Sequence, residues 1–187
     1  MTYYYNSINK SASIELGNAL SKMIDMHISC GQTIIFLCIG SDRSTGDSLG
    51  PLIGHKLTRY CIPGVIIYGT LDEPVHAMNL EKVINEINEL YSDPFIVAID
   101  ASLGSRDHVG YITLGTGPLK PGLGVCKELP SAGDIHITGI VNFSGMLDSL
   151  LLQTTRLATV MSLADIITRG ILFAVKNYSS GVIKNYA

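Results

Sequence analysis

Two aspartates each follow an apolar run. Asp47 closes the polar stretch "GSDRSTGD" (40–47) after "TIIFLCI" (33–39), and Asp100 follows "FIVAI" (95–99). Paired carboxylates have two uses where water is the attacking group. They can share one proton, so that one acts as acid and the other as base. Alternatively, they hold a divalent ion. Neither use requires a nucleophilic side chain. Each aspartate also has a plain structural use, Asp47 as a helix N-cap and Asp100 in an Asx-turn. His136, in "GDIHITG" (133–139), adds an imidazole that serves as ligand, proton carrier or ordinary strand residue. With His136 the donors become a mixed oxygen and nitrogen set, which suits zinc, nickel or manganese better than magnesium.

Other residues of the same stretch compete for the role. "GDSLG" (46–50) matches the GxSxG nucleophile elbow, with Ser48 between a strand and a helix. A serine esterase also needs a histidine base, and no histidine follows His136. The alternative is a helix-cap serine. Asp42 and Arg43 read as a pair on the loop, with Asp42 also a candidate for substrate contact or proton transfer. Asp72 and Glu73, with His76 just beyond, read as a solvated turn on the same sheet edge. Nucleotide binding is not expected. Gly40 to Gly46 is one residue too long for a Walker A loop, Asp47 stands where its lysine belongs, and Asp42 occupies the second glycine of GxGxxG.

A carboxylate pair needs a scaffold that brings both aspartates to one edge. "TIIFLCI" (33–39), "GVIIYGT" (64–70) and "PFIVAIDA" (94–101) read as strands, the first and third as buried ones. "VGYITLGTG" (109–117) and "DIHITGIVN" (134–142) read as further strands, separated by a Pro/Gly-rich loop. Helical periodicity covers 11–28, 48–61, 79–91 and 153–178, with Asn79 as N-cap of the third. This alternation predicts a three-layer α/β/α sandwich around a mainly parallel sheet. In such sheets ligands bind outside the carboxyl ends of the strands, where Asp47 and Asp100 fall.

The 187 residues, with no repeat or linker, fit a single domain spanning 1–187. Hydrophobic residues make up 47% and charged ones 16%, the balance of a buried interior rather than a disordered chain. A net charge of −3 without a basic block argues against nucleic acid as a partner. The apolar stretches fall short of the ~20 residues of a membrane span. The N-terminus lacks the basic and apolar regions of a secretory leader, and four cysteines without CxxC spacing read as buried, reduced thiols of a cytoplasmic protein.

Four motifs in order, "IGSDRSTGDSLGP", "VAIDASLG", "KPGLGV" and "GDIHITGIVN", resemble the YyaC-type sporulation proteins, relatives of the spore germination protease. The similarity covers roughly residues 33–170. The germination protease has a similar T-x-D-[AS]-L-G-P after its first strand and an A-I-D-A motif at a strand end. Its two aspartates, proposed as an aspartic-type pair acting on small acid-soluble spore proteins, fall on Asp47 and Asp100. More distantly the chain resembles the hydrogenase maturation endopeptidases, of phosphorylase/hydrolase-like fold. Their acidic residues and a histidine contact nickel in the substrate, which implies Asp47, Asp100 and His136 here.

The resemblance therefore implies a peptidase-like hydrolase of sporulation or germination, in the cytoplasm of the forespore or the spore interior. Its substrate would be a protein or peptide. The alternative is a non-catalytic peptide- or metal-binding regulatory protein on the same fold. No counterpart of the germination protease's long N-terminal region is seen, so zymogen-style activation is not expected. Oligomeric state, a homo-oligomer included, is left open.

Overall fold

The computed structural model describes residues 1–29, 32–121 and 130–184, with 177–184 described by backbone alone. The described residues form one six-stranded sheet. Its strands are β1 (Thr2–Asn6), β2 (Ile34–Cys38), β3 (Val65–Tyr68), β4 (Phe95–Gly104), β5 (Tyr111–Thr116) and β6 (Ile135–Phe143). The helices are α1 (Ala12–His27), α2 (Leu49–Leu57), α3 (Leu80–Leu90), α4 (Asp148–Gln153) and α5 (Leu157–Lys184). Strand order is β1-β5-β6-β4-β2-β3. β2 pairs in parallel with β3 and β4, and β4 with β6, whereas β5 runs antiparallel to both β6 and β1.

Every residue of β2 is buried because both faces of the strand are covered. Ile34, Phe36 and Cys38 join the core beneath α1, α2 and α5, while Ile35 and Leu37 pack with Leu80 and Ile87 of α3. The apolar stripe of α1, Leu16, Leu20, Met23 and Ile24, is buried as its spacing predicts. α2 lies unusually close to the end of β2, since a Cβ at Gly50 would collide with the Ile39 carbonyl. Glycine at that position lets the helix start hard against the sheet edge.

The chain leaves β2 toward β3 through α2 on one face. It returns from β3 to β4, on the other side of β2, through α3 on the opposite face. Strand order therefore reverses between β2 and β4, which opens a crevice at their carboxyl ends. Asp47 follows one of these strands and Asp100 lies in the other.

Several sequence expectations need correction. β1 and α4 have no sequence-level counterpart. β4 does not end at Asp100 but runs on to Gly104, paired with β6 across an irregularity at Ser102/Leu103. Leu157–Lys176 of α5 is, against expectation, long and apolar enough to span a bilayer, with hydropathy 1.6 over 20 residues. Its Val160, Leu163, Ala164, Ile167 and Ile171 are instead buried, and the helix packs on α1 and α2. A helix covered on several sides is apolar for that reason. Cys38 is buried and its thiol is pushed up by burial, but Cys61 is exposed. Cys30, Cys126 and most of "KPGLGV" lie outside the described residues.

Candidate active site

β2 gives out one residue before β4 reaches Asp100, because its last pair is Cys38 with Ile99. The Ile39 N–H still bonds the Ile99 carbonyl at 2.7 Å, and Gly40 then turns the chain away. Beyond that point β2 no longer pairs with β4, and the chain enters the 40–47 loop. The loop is held by the Ser41 N–H to the Asp47 carbonyl at 3.2 Å and by the Gly46 N–H to Leu152 of α4 at 2.8 Å. The other side of Asp100 is closed by β6, where it pairs with Thr138. On that side of the sheet the Thr138 hydroxyl accepts from the Ser102 hydroxyl at 3.0 Å and shares a hydrogen bond with that of Thr113 at 2.7 Å. Asp100 is left only 8% exposed.

The Asp100 carboxyl is thus poorly solvated, and Asp47 lies near enough for its charge to act on it. Burial pushes the Asp100 carboxyl well above the usual carboxylate range, and the Asp47 charge pushes it further. The Ala101 N–H, donated to Asp100 Oδ1 at 2.7 Å, opposes this. Asp47 is partly exposed. Burial raises its carboxyl too, against the Ser41 N–H and the charge of His76. Neighbouring carboxyls in unequal surroundings split their titrations. Neither aspartate has its plain structural role. Ser48, not Asp47, is the N-cap residue of α2, and the Asp100 side chain bonds the next N–H along a strand.

Ser48 does not stand as a nucleophile. Its hydroxyl donates to the Thr45 carbonyl at 2.7 Å, and the residue is 7% exposed. Asp42 and Arg43 are exposed and form no ion pair with each other, and the Arg43 N–H bonds Ser41 Oγ at 3.3 Å. Ser48→Ala is expected to leave peptide cleavage within about threefold of wild type, whereas loss of a true serine nucleophile costs on the order of 10⁶ in kcat. Steady-state kinetics of the two proteins check this.

His136 does not join the aspartates. It pairs with Ala98, two residues before Asp100, which is about 6.6 Å away along the strand. Its Nδ1 lies 2.9 Å from the Gly117 carbonyl, and its ring covers Gly115 of β5. Among the described residues no three His, Cys, Asp or Glu side chains gather as a metal site. The zinc, nickel or manganese set of Asp47, Asp100 and His136 therefore does not fit this arrangement.

His76, read from the sequence only as lying just beyond a solvated turn on this edge, is the histidine that approaches the loop of Asp47. The segment after β3 adds a short parallel bridge, Ile39 with Val75, and Gly40 donates to the Val75 carbonyl at 2.7 Å. His76 is thereby brought next to the loop of Asp47, near enough for its charge to act there. Asn79 is the N-cap residue of α3 as expected, but its side chain bonds the preceding turn rather than the helix N–H groups. Its Oδ1 accepts the His76 N–H at 2.7 Å and its Nδ2 donates to the Pro74 carbonyl at 3.0 Å. The available signal was topological, since "PVH" follows a parallel strand on the edge that carries Asp47.

The class that emerges is a three-layer α/β sandwich with Asp47 and Asp100 on the strands and loops of its switch point. The fold is similar to the [NiFe] hydrogenase maturation protease HycI from Thermococcus kodakarensis KOD1, with a TM-score of 0.51 and 16% identity over 82% of this chain and 99% of that one. The chain belongs to the family described as protein of unknown function DUF1256, which matches residues 3–170. It is 45% identical over 168 residues to the uncharacterized protein YyaC of Bacillus subtilis (strain 168), covering 90% of this chain and 81% of YyaC.

Proposed function

We propose that this protein is a peptidase-like hydrolase in which Asp47 and Asp100 act as a metal-free aspartic pair. The observation that carries the reading is the buried Asp100 carboxyl, pushed upward both by its surroundings and by the neighbouring Asp47 charge. A pair of this kind holds one proton between two carboxyl groups. Asp47, the more solvated, takes a proton from water as the water oxygen adds to the scissile carbonyl carbon. Asp100, protonated, donates a hydrogen bond to the carbonyl oxygen. Collapse of the tetrahedral intermediate releases the amine, which takes up the proton, and the pair returns to its single-proton state.

The motifs shared with the YyaC-type proteins and the germination protease favour small acid-soluble spore proteins as substrates. They also favour a cytoplasmic setting, in the forespore or spore interior. The test is incubation with these proteins, with products read by mass spectrometry. Wild type is expected to give discrete fragments and Asp47→Asn to give none above background, a loss of about 10³-fold or more. Saturable binding without fragments would instead define a binding protein on a peptidase fold.

A further inference from the structure

β1, "TYYYN", ends the sheet, and its outer side bonds no strand among the described residues. At either end of its pairing with β5, the Ser7 N–H donates to the Gly110 carbonyl at 3.1 Å and the Thr116 N–H to the Met1 carbonyl at 3.5 Å. In an antiparallel ladder, residues bonded to one neighbour alternate with residues turned to the other side. Tyr3 and Tyr5 therefore bond β5, whereas Thr2, Tyr4 and Asn6 turn their N–H groups outward, with the Thr2 and Tyr4 carbonyls beside them. The Asn6 carbonyl accepts the Asn9 N–H at 3.0 Å. Exposed edges are commonly blunted by lysine, proline or a bulge, which discourages pairing with another chain. β1 has none of these, and its register with β5 is regular from Thr2 to Asn6.

The surface beside this edge is apolar with a charged border. Tyr3 and Tyr5 of β1 and Met23 and Met26 of α1 line a groove of about 630 Å³, and Glu15 and Lys22 border it. Tyr3 and Met26 are exposed. Glu15 and Lys22 lie about two helical turns apart, so they share one stripe of α1 with Asn18 between them. Neither forms an ion pair among the described residues.

A stripe that runs Glu15, Asn18, Lys22 is complementary to its own reverse. A twofold axis beside Asn18 brings Glu15 of one copy to Lys22 of the other, and the reverse. The same operation suits the strand. An axis at Tyr4 sets Tyr4 against Tyr4, each N–H donating to the facing carbonyl, and each Asn6 N–H then meets the Thr2 carbonyl of the other copy. Tyr3 comes to lie across from Tyr5 on the α1 side, an aromatic cross-strand pair. Strand and helix border the same groove, so one axis serves both.

We propose that this edge is a homodimer interface: β1 pairs antiparallel with β1 of a second copy, joining the two sheets into one, and the α1 stripes close over the seam with Glu15 against Lys22. Such an arrangement is isologous and closed, the commonest symmetry of soluble oligomers. Neither contact involves Asp47 or Asp100, so the interface stands or falls apart from the aspartate-pair reading.

Sedimentation equilibrium of the full chain over about 1–100 μM reads the assembly, and wild type is expected to be dimeric at the upper end. Tyr4→Pro removes the N–H on the axis but spares the ladder to β5, which does not use it, and is expected to weaken the dimer about 10-fold or more. Glu15→Lys and Lys22→Glu each set like charges across the axis, and each is expected to weaken it about 10-fold. An equimolar mixture of these two variants restores opposite charges in the heterodimer and is expected to return to within about threefold of wild type. Thermal unfolding shows that each variant is folded, and if Tyr4→Pro is not, the charge variants decide alone. A wild type that stays monomeric at the highest concentration overturns the proposal. So does a dimer that either a folded Tyr4→Pro or the charge variants leave unchanged, and so does a loss in the charge variants that mixing does not repair.

Discussion

Asp100→Asn is expected to abolish peptide cleavage while making the fold more stable at neutral pH. The activity loss follows from the chemistry of a pair. Asparagine keeps the size of the side chain, but it supplies no titratable group to share a proton, so a fall of about 10³-fold or more is expected. The stability gain follows from linkage. In the unfolded chain Asp100 titrates as an ordinary aspartate, and in the folded protein its carboxyl is raised well above that. Between the two values the folded state binds more protons, so stability falls as pH rises. The contribution is complete below the unfolded value and is lost as pH passes through the folded one. Each unit of separation corresponds to about 1.4 kcal/mol. Asparagine carries no such dependence. Urea unfolding of both proteins across about pH 4–8 should show curves that diverge upward in favour of the variant. A variant that cleaves like wild type would sink the aspartic mechanism. Parallel pH curves would show that Asp100 is not a buried acid.

Gly40→Ala is expected to be among the most damaging single substitutions outside the carboxylates. Gly40 has φ +139, a backbone conformation that L side chains rarely adopt. A Cβ there would also collide with the Asp47 carbonyl oxygen and lie 3.1 Å from Pro51 Cδ. Neither neighbour can yield easily, since one is backbone and the other a ring at the start of α2. Strain and overlap together are expected to cost about 3 kcal/mol or more. The loop that relaxes to accommodate the methyl is the one that carries Asp47, so cleavage should fall as well as stability. Chemical denaturation and the cleavage assay read the two effects separately. Loss of stability with full activity would mean that Asp47 is not positioned by this turn.

Much of the scaffold was legible from local pattern. β2 and the first part of β4 are continuous apolar runs because both faces of these strands are covered, and α1 and α3 show a stripe because one face is. Elements that lack such a pattern escaped. The edge strand β1, "TYYYN", is largely exposed and is defined by its antiparallel pairing with β5. α4 buries none of its residues. The end of β4 was misplaced for a related reason. Residues 101–104 extend the strand only because β6 continues beside them, and local sequence does not record how long a partner runs.

The sequence by itself determined that Asp47 follows one parallel strand and that Asp100 closes the apolar run of another, because apolar runs and the helices between them dictate strand direction. Only the tertiary structure decided where His136 and His76 lie relative to them. His136 and Asp100 share a side of the sheet, but the pairing of β6 with β4 sets His136 opposite Ala98, and the Gly117 carbonyl holds its ring. His76 comes from the turn after β3 because Val75 bridges Ile39 and the Asn79 side chain folds back to hold the turn. The depth of a side chain in a sheet depends on the register between strands far apart in the chain. A displacement of two residues, about 6.6 Å, is enough to take an imidazole away from a carboxylate pair.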